Sequence, residues 1–137
     1  KLSAKINNNI IYWILSKLLK VLTKVKNPRV LIIGVAYKKN IDDVRESPAL
    51  KFMEILSKKK IFFQYHDPYI KKIPKNRNFY KKIKSINISP KIIKKFDSIL
   101  LVTDHDNINW KMIQKNAKLI IDTRNVYKKN YINVIKA

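Results

Sequence analysis

The sequence predicts an α/β fold in which a doubly wound parallel sheet follows a helix at the start of the chain. Three observations support this prediction. Short β-branched runs alternate with segments of helical periodicity, apolar residues recur every four positions near the start, and Ser-Pro and Asp-Pro pairs lie where elements meet. Because such alternation is typical of right-handed crossovers, we expect parallel strands. A chain of 137 residues has room for one modest domain and a helical appendage.

The first element is predicted to be a helix over residues 4–25. Its apolar side chains follow a helical spacing, at Ile6, Ile10, Ile11, Ile14, Leu15, Leu18, Leu19 and Leu22. The stripe that they form is too wide for a single packing partner. The helix can therefore pack on its own domain, or it can join a second domain or subunit. Asn27-Pro28 ends it, which divides the chain into residues 1–27 and 28–137.

The later elements are predicted in alternation. Strands are predicted over residues 30–34, 61–66, 98–102 and 118–122, and helices over residues 48–58, 90–96 and 110–116. Ser47 suits an N-cap and Pro48 suits the first helical position, and Ser89-Pro90 and Asn109 begin the other two helices. Residues 71–87, which are basic and poor in apolar side chains, are predicted to form a long loop.

Residues 30–50 are the most informative segment, because a strand, a polar loop and a helix start follow one another there. The strand ends in Gly34, the only glycine of the chain. Loops at the carboxyl end of parallel strands are where open α/β sheets bind ligands. Tyr37 and Lys38 leave the strand at this edge, where a lysine suits a diphosphate and a tyrosine ring can cover a flat base. The competing interpretation of Lys38 is an ordinary solvated lysine.

Arg124 follows the last predicted strand, where its guanidinium can bind a phosphate through two hydrogen bonds. A surface ion pair with Asp122 or Asp104 is the alternative, which would stabilise the fold by about 1 kcal/mol or less. In the loop after the first strand, Asp42 and Asp43 are expected to accept loop N–H groups and to bond Arg45 rather than to bind a metal.

Both histidines, His66 and His105, stand beside aspartates after predicted strands. Their spacing is not a zinc pattern, so we expect turn residues bonded to local backbone and no metal site. Asp67 occupies the position where a dinucleotide-binding domain places its ribose-binding acid. Because Pro68 follows and a three-glycine loop is lacking, Asp67 is interpreted mainly as a turn former. The domain is thus Rossmann-like without the usual cofactor loop.

Composition limits the function classes. The chain has no cysteine, which excludes disulfides, thiolate nucleophiles and cysteine-based zinc sites. Its net charge of +22 comes almost entirely from lysine, with many isoleucines and asparagines beside it. These three residues share AU-rich codons, and arginine, the preferred fork for bases and phosphates, is scarce. We therefore expect a solvated lysine surface and no specific nucleic acid partner.

The apolar stretch over residues 10–22 is interrupted by Lys17 and Lys20. Its charge-free part falls short of the ~20 residues that cross a bilayer, so no membrane partner is predicted. No leader is recognised, and a cytoplasmic location is expected. Because the chain begins with Lys1 instead of methionine, we expect a piece of a longer protein.

Four motifs together resemble one enzyme family. Residues 34–50 (GVAYKKNIDDVRESPAL), 65–69 (YHDPY), 102–105 (VTDH) and 119–125 (LIIDTRN) resemble, in order and spacing, the C-terminal domain of nucleotide-sugar 6-dehydrogenases. These are the UDP-glucose, UDP-N-acetylglucosamine and GDP-mannose dehydrogenases. The residues of these motifs are most similar to those of the UDP-N-acetylglucosamine branch.

The resemblance implies a UDP-binding domain over residues 28–137, preceded by the end of the central helical segment through which the family forms homodimers. It implies that Tyr37, Lys38 and Arg124 contact the UDP part of a UDP-sugar. It implies that Arg45 lies at the domain interface and reaches toward NAD, which is bound mainly by an N-terminal domain that this chain lacks. The parent reaction oxidises the C6 hydroxymethyl to a carboxylate for surface polysaccharide synthesis. The family's catalytic cysteine and acid–base lysine have no counterpart here, so this chain alone is expected to be inactive.

Two other functions stay open on the sequence. The chain can be a stand-alone nucleotide-binding or regulatory module, or, less in keeping with its arginine content, a basic nucleic-acid-binding protein.

Overall fold

The computed structural model describes residues 8–45, 47–73 and 82–137. Within them, five parallel strands form one sheet in the order β2-β1-β5-β6-β7. These strands are β1 Arg29–Ile33, β2 Phe62–His66, β5 Ser98–Leu101, β6 Ile120–Asp122 and β7 Val134–Lys136. The predicted α/β class and the parallel sheet are therefore confirmed.

Strand β7 was not predicted from the sequence. It is three residues long, it pairs with β6 in register Ile120↔Val134, and only β6 borders it in the sheet. Its residues are only partly buried or exposed, so it lacks the continuous buried run that marks the inner strands.

The predicted loop over residues 71–87 was partly wrong. Its ends form a small antiparallel pair, β3 Lys72–Ile73 with β4 Ile83–Lys84, and Ser85 bridges to Tyr65 of β2. Residues 74–81 between them lie outside the described residues. Ile73 is buried in the core, which is a contact that the basic composition of this stretch did not reveal.

The helices are α1 Asn8–Leu22, α2 Pro48–Lys58, α3 Pro90–Ile93 and α4 Trp110–Asn116. The expected caps are confirmed, since the Ser47, Ser89 and Asn109 side chains accept the first free backbone N–H groups. Helix α3 is shorter than predicted and ends at Ile93. Helix α1 ends at Leu22, before the predicted limit, and the start of its predicted range lies outside the described residues.

The sheet separates two apolar cores, because alternate residues of a strand point to opposite faces. Val30 and Ile32 of β1 pack with residues of α1 and α2, whereas Leu31 and Ile33 pack with residues of α3 and α4. Leu18 of α1 is fully buried in the first core. The other side of α1 exposes Ile10, Tyr12 and Trp13. None of the helices in the described part of the chain is both long enough and apolar enough to span a bilayer.

Candidate functional site

All the candidate binding residues follow strand ends at the carboxyl edge of the sheet. Gly34 begins this edge with φ +84°, in the left-handed region that L side chains rarely adopt. A Cβ on Gly34 would lie 2.4 Å from the Thr103 carbonyl oxygen and 2.5 Å from the Thr103 Cβ. Only glycine therefore allows the chain leaving β1 to pass this close to the chain leaving β5.

The next residues are fastened by a carboxylate from the end of β2. Asp67 Oδ2 accepts the N–H groups of Val35, at 2.7 Å, and of Ala36, at 3.1 Å. Its Oδ1 accepts the N–H groups of Tyr69 and Ile70. Asp67 is only 2% exposed. Burial by itself would raise the pKa of this carboxyl, but the hydrogen bonds from His105, Val35 and Tyr69 outweigh burial, so the pKa of Asp67 is lowered.

His105 joins Asp67 to a more distant part of the same loop. The His105 Nε2 lies 2.9 Å from Asp67 Oδ2, and the His105 Nδ1 accepts the backbone N–H of Asn40 at 2.7 Å. Since Nδ1 is an acceptor here, the ring hydrogen is assigned to Nε2, which donates to the carboxylate. Both side chains are fully buried, and the Tyr69 ring lies 4.8 Å from the imidazole, measured between ring centroids.

An exposed set of contacts closes over the histidine. The Asn40 side chain donates to Asp106 Oδ2 at 2.6 Å and accepts the Asp106 backbone N–H at 2.9 Å. Lys39 forms an ion pair with Asp106 at 3.3 Å. Asn40 has φ 62°, a conformation that asparagine tolerates better than most residues.

Tyr37 and Lys38 lie between these attachments. Tyr37 is half-buried and donates its N–H to the Asp43 carbonyl, while Lys38 is exposed with its Nζ 5.8 Å from the centre of the Tyr37 ring. As expected, Asp43 binds Arg45, accepting its backbone N–H and its guanidinium. The largest cause of the lowered pKa of Asp43 is this Arg45 side-chain bond. The Arg45 side chain itself is 86% exposed.

Arg124 stands on a separate loop after β6. Buried Asp122 accepts the backbone N–H groups of that loop, those of Arg124, Val126 and Tyr127, and Asn125 takes φ 57°. The Arg124 Nε donates to the Val102 carbonyl at 2.8 Å. Asp122 thus acts on the backbone of this loop, while the guanidinium bonds the end of β5.

The loop that carries Lys38 and the loop that carries Arg124 are both attached to the end of β5. Thr103 Oγ1 donates to the Ala36 carbonyl at 2.8 Å, two residues before Lys38, and the adjacent Val102 carbonyl receives Arg124. The structure therefore places Tyr37, Lys38 and Arg124 on loops of one sheet edge that attach to consecutive residues.

Two expectations for this edge were wrong. His105 is bonded to Asn40 and Asp67, which are 65 and 38 residues away in the chain, and not to local backbone. The His66 ring bonds the Ile86 carbonyl through Nδ1, 20 residues away. Asp67 is a turn former, but it is also the centre of the buried network. The Asp-Pro and Thr-Asp-His patterns marked strand ends, and no local signal showed that those ends meet.

Within the described residues, no three or more His, Cys, Asp or Glu side chains are grouped to hold a metal ion.

The comparisons with known proteins agree with this architecture. Residues 31–129 match the sequence model described as the UDP-glucose/GDP-mannose dehydrogenase family, UDP binding domain. The UDP-N-acetyl-D-mannosamine dehydrogenase of Pyrococcus horikoshii is 33% identical over 111 residues, which cover 77% of this chain and 24% of the relative. The UDP-glucose 6-dehydrogenase of Rickettsia conorii is 30% identical over 107 residues, which cover 74% of this chain and 25% of the relative.

The solved structure of the UDP-D-ManNAc dehydrogenase from Pyrococcus horikoshii superimposes with a TM-score of 0.71 at 29% identity. The match covers 95% of this chain and 30% of that structure. The chain thus spans about a quarter of the length of the relatives it matches in sequence. The match to the family model covers well over half of the 137 residues. The chain therefore belongs to the UDP-glucose/GDP-mannose dehydrogenase family, within which it matches the UDP binding domain.

Proposed function

We propose that this chain holds the UDP end of a UDP-sugar at the carboxyl edge of its sheet. In this proposal the Tyr37 ring covers the uracil, and Lys38 and Arg124 contact the diphosphate. The observation that carries it is the attachment of both cationic loops to consecutive residues at the end of β5, Val102 and Thr103. Two cations brought to one edge suit a ligand with two linked phosphates.

The turn after β1 supports binding by side chains instead of backbone. In a dinucleotide-binding turn, glycines let free N–H groups approach a pyrophosphate. Here the Val35 and Ala36 N–H groups already donate to Asp67, and Thr103 fills the space beside Gly34. This turn does not fit the pyrophosphate of NAD, so we assign NAD mainly to a further domain of the whole protein.

Arg45 is proposed to reach toward NAD from the domain interface. Its exposed guanidinium and its bond to Asp43 support this assignment, because Asp43 orients the side chain at the rim of the loop. This contact would be made only once the NAD-binding domain is in place.

For the whole protein we propose an NAD-dependent oxidation of the C6 hydroxymethyl of a UDP-sugar to a carboxylate, in the cytoplasm, for polysaccharide synthesis. The relatives described above are named for mannosamine and glucose sugars, so the UDP-N-acetylglucosamine branch stays a prediction. The chain has no cysteine to carry the family's covalent step. It contributes binding energy at the UDP end, remote from the reacting carbon, and this binding positions the sugar.

A homodimer through the helical segment is also proposed. The exposed side chains of Tyr12 and Trp13 on α1 support it, because aromatic residues are enriched at protein interfaces.

Calorimetry with UDP tests the proposed site. Lys38→Ala and Arg124→Ala should each weaken UDP binding by about 1–3 kcal/mol, the range of charge-assisted hydrogen bonds. Lys94→Ala is the matched control, since Lys94 is exposed and lies before β5, at the opposite edge of the sheet. It removes the same charge and should leave the affinity unchanged at moderate salt. Equal weakening by all three variants would show that only the diffuse positive field attracts UDP.

A further inference from the structure

We propose that Asp67 and His105 are a positioning pair that fixes Tyr37 and Lys38 for ligand binding by bridging the two ends of the segment that carries them. This inference rests on the proposed function of that segment. Neither residue is expected to touch the ligand, because both side chains are fully buried beneath the loop.

The bridge is a continuous series of hydrogen bonds. It runs from the Ala36 N–H to Asp67 Oδ2 at 3.1 Å, from Oδ2 to His105 Nε2 at 2.9 Å, and from His105 Nδ1 to the Asn40 N–H at 2.7 Å. The segment between its two ends is residues 37–39. One carboxylate and one imidazole therefore set the distance between the residues on either side of Tyr37 and Lys38.

Two features of the Asp67–His105 pair make it a firm support for the loop. The carboxylate accepts the Nε2 hydrogen and polarises the ring, which makes Nδ1 a better acceptor for the Asn40 N–H. The Asp67 side chain cannot follow the loop if it moves, because its other oxygen is held by the Tyr69 and Ile70 N–H groups. The bridge is thus anchored at the end of β2, outside the loop that it holds.

Loss of the bridge should loosen the loop without unfolding the domain. Asn40 is exposed, so its N–H can donate a hydrogen bond to water when the imidazole acceptor is removed. The cost then falls on ligand binding, since a loop that is not held in its binding conformation must be ordered when the ligand arrives.

Two substitutions at one position separate the two ends of the bridge. An asparagine places its Oδ1 near the position of the imidazole Nδ1, so His105→Asn retains an acceptor for Asn40. A glutamine places its amide near Nε2, so His105→Gln retains a donor for Asp67 and loses the Asn40 contact. We expect His105→Gln to bind UDP-glucose about tenfold more weakly, the equivalent of one lost hydrogen bond. His105→Asn keeps the Asn40 contact but loses the bond to Asp67, so it should recover only part of the affinity.

Amide hydrogen exchange and NMR provide the readout that a general loss of stability would not move. The Asn40 amide should exchange faster in His105→Gln than in His105→Asn, while amides of β1 keep their protection. His66→Gln is the control at the same edge, because His66 bonds Ile86 and not the loop. It should leave UDP-glucose binding unchanged.

The outcomes distinguish the two proposals. If the unsubstituted chain does not bind UDP-glucose, the proposed function fails. If it binds and His105→Gln binds equally well, the positioning role is overturned. If His105→Gln does not fold, the Asn40 amide of the unsubstituted chain is measured instead. That amide should be protected because it donates to buried His105, and exchange as fast as that of a free amide would also overturn the inference.

Discussion

The two loops that carry the proposed UDP-binding cations are held in opposite ways. The loop after β1 is fastened by side chains distant in the chain, since Asp67, Thr103 and His105 bond to it across 31 to 67 residues. The loop after β6 is fastened by the aspartate at its own base, Asp122, which acts across two to five residues. The first loop should therefore be disturbed by any change at the sheet edge, whereas the backbone of the second should depend mainly on its own aspartate.

Gly34→Ala is expected to have the largest effect. The new Cβ would meet the Thr103 backbone at 2.4–2.7 Å, at a φ of +84° that alanine disfavours. Strain and displacement together should lower the free energy of unfolding by about 3–5 kcal/mol. Urea denaturation followed by circular dichroism measures this. A loss of less than about 1 kcal/mol is the ordinary effect of a point substitution. Such a result would mean that the loop after β1 does not depend on its close contact with Thr103.

Asp67→Asn should have the second largest effect and lower the free energy of unfolding by about 2–4 kcal/mol at neutral pH. The asparagine NH2 group is a donor, and it would face backbone N–H groups that now donate to the carboxylate. The pKa of Asp67 in the folded chain lies below its ordinary 3.8. A lowered folded pKa means stabilisation that is full above the unfolded value and is lost as pH falls through the folded one. The stability difference between the wild type and Asp67→Asn should therefore narrow below about pH 4.

The control for this substitution is Asp42→Asn, which changes the same chemical group at an exposed position of the loop. Its free energy of unfolding at neutral pH should stay within about 0.5 kcal/mol of the wild-type value. A stability difference that widens in acid for Asp67→Asn would contradict a lowered pKa for Asp67 in the folded chain.

Asp122→Asn should cost less, about 1–2 kcal/mol, since two of the three N–H groups that it accepts, those of Arg124 and Val126, are only partly buried. Hydrogen exchange should rise over residues 123–127 and stay unchanged over residues 35–45. For Asp67→Asn the pattern should be reversed. Faster exchange in both loops for either variant would remove the distinction between them.

The smallest effect is expected for Lys39→Ala. Its ion pair with Asp106 is solvent-exposed and is screened by salt, so thermal unfolding should be nearly unchanged at moderate ionic strength. A clear drop in the melting temperature would show that the outer contacts, and not the buried bridge, hold the loop after β1.

The same contrast explains what the sequence could predict. Local chemistry predicted the caps at Ser47, Ser89 and Asn109, the strands β1, β2, β5 and β6, and the Asp43–Arg45 bond. Each of these depends on residues close together in the chain. The family assignment also came from short motifs, and the comparisons confirmed it.

What the sequence could not predict depends on which strands become neighbours. Asp67 and His105 stand in turn-like patterns, and their pairing follows only from the order β2-β1-β5. Strand β7 and the β3–β4 pair likewise exist because a neighbouring segment supplies the partner. The proposed contacts of Tyr37, Lys38, Arg45 and Arg124 stay predictions until ligand binding is measured.

Because of helix α1, the segment that completes the core begins earlier in the chain than the segment that carries the proposed ligand contacts. The family match begins at residue 31, and the proposed ligand contacts all lie beyond it, yet Leu18 and Leu22 complete the apolar layer over Val30 and Ile32. A chain trimmed to the matched segment would keep every proposed UDP contact, but it would lose α1, which forms one wall of the core, and the edge strand β7. The segment that carries the proposed nucleotide contacts is thus shorter than the segment that builds the core. A module transplanted into another protein should therefore begin at α1 and not at the first motif.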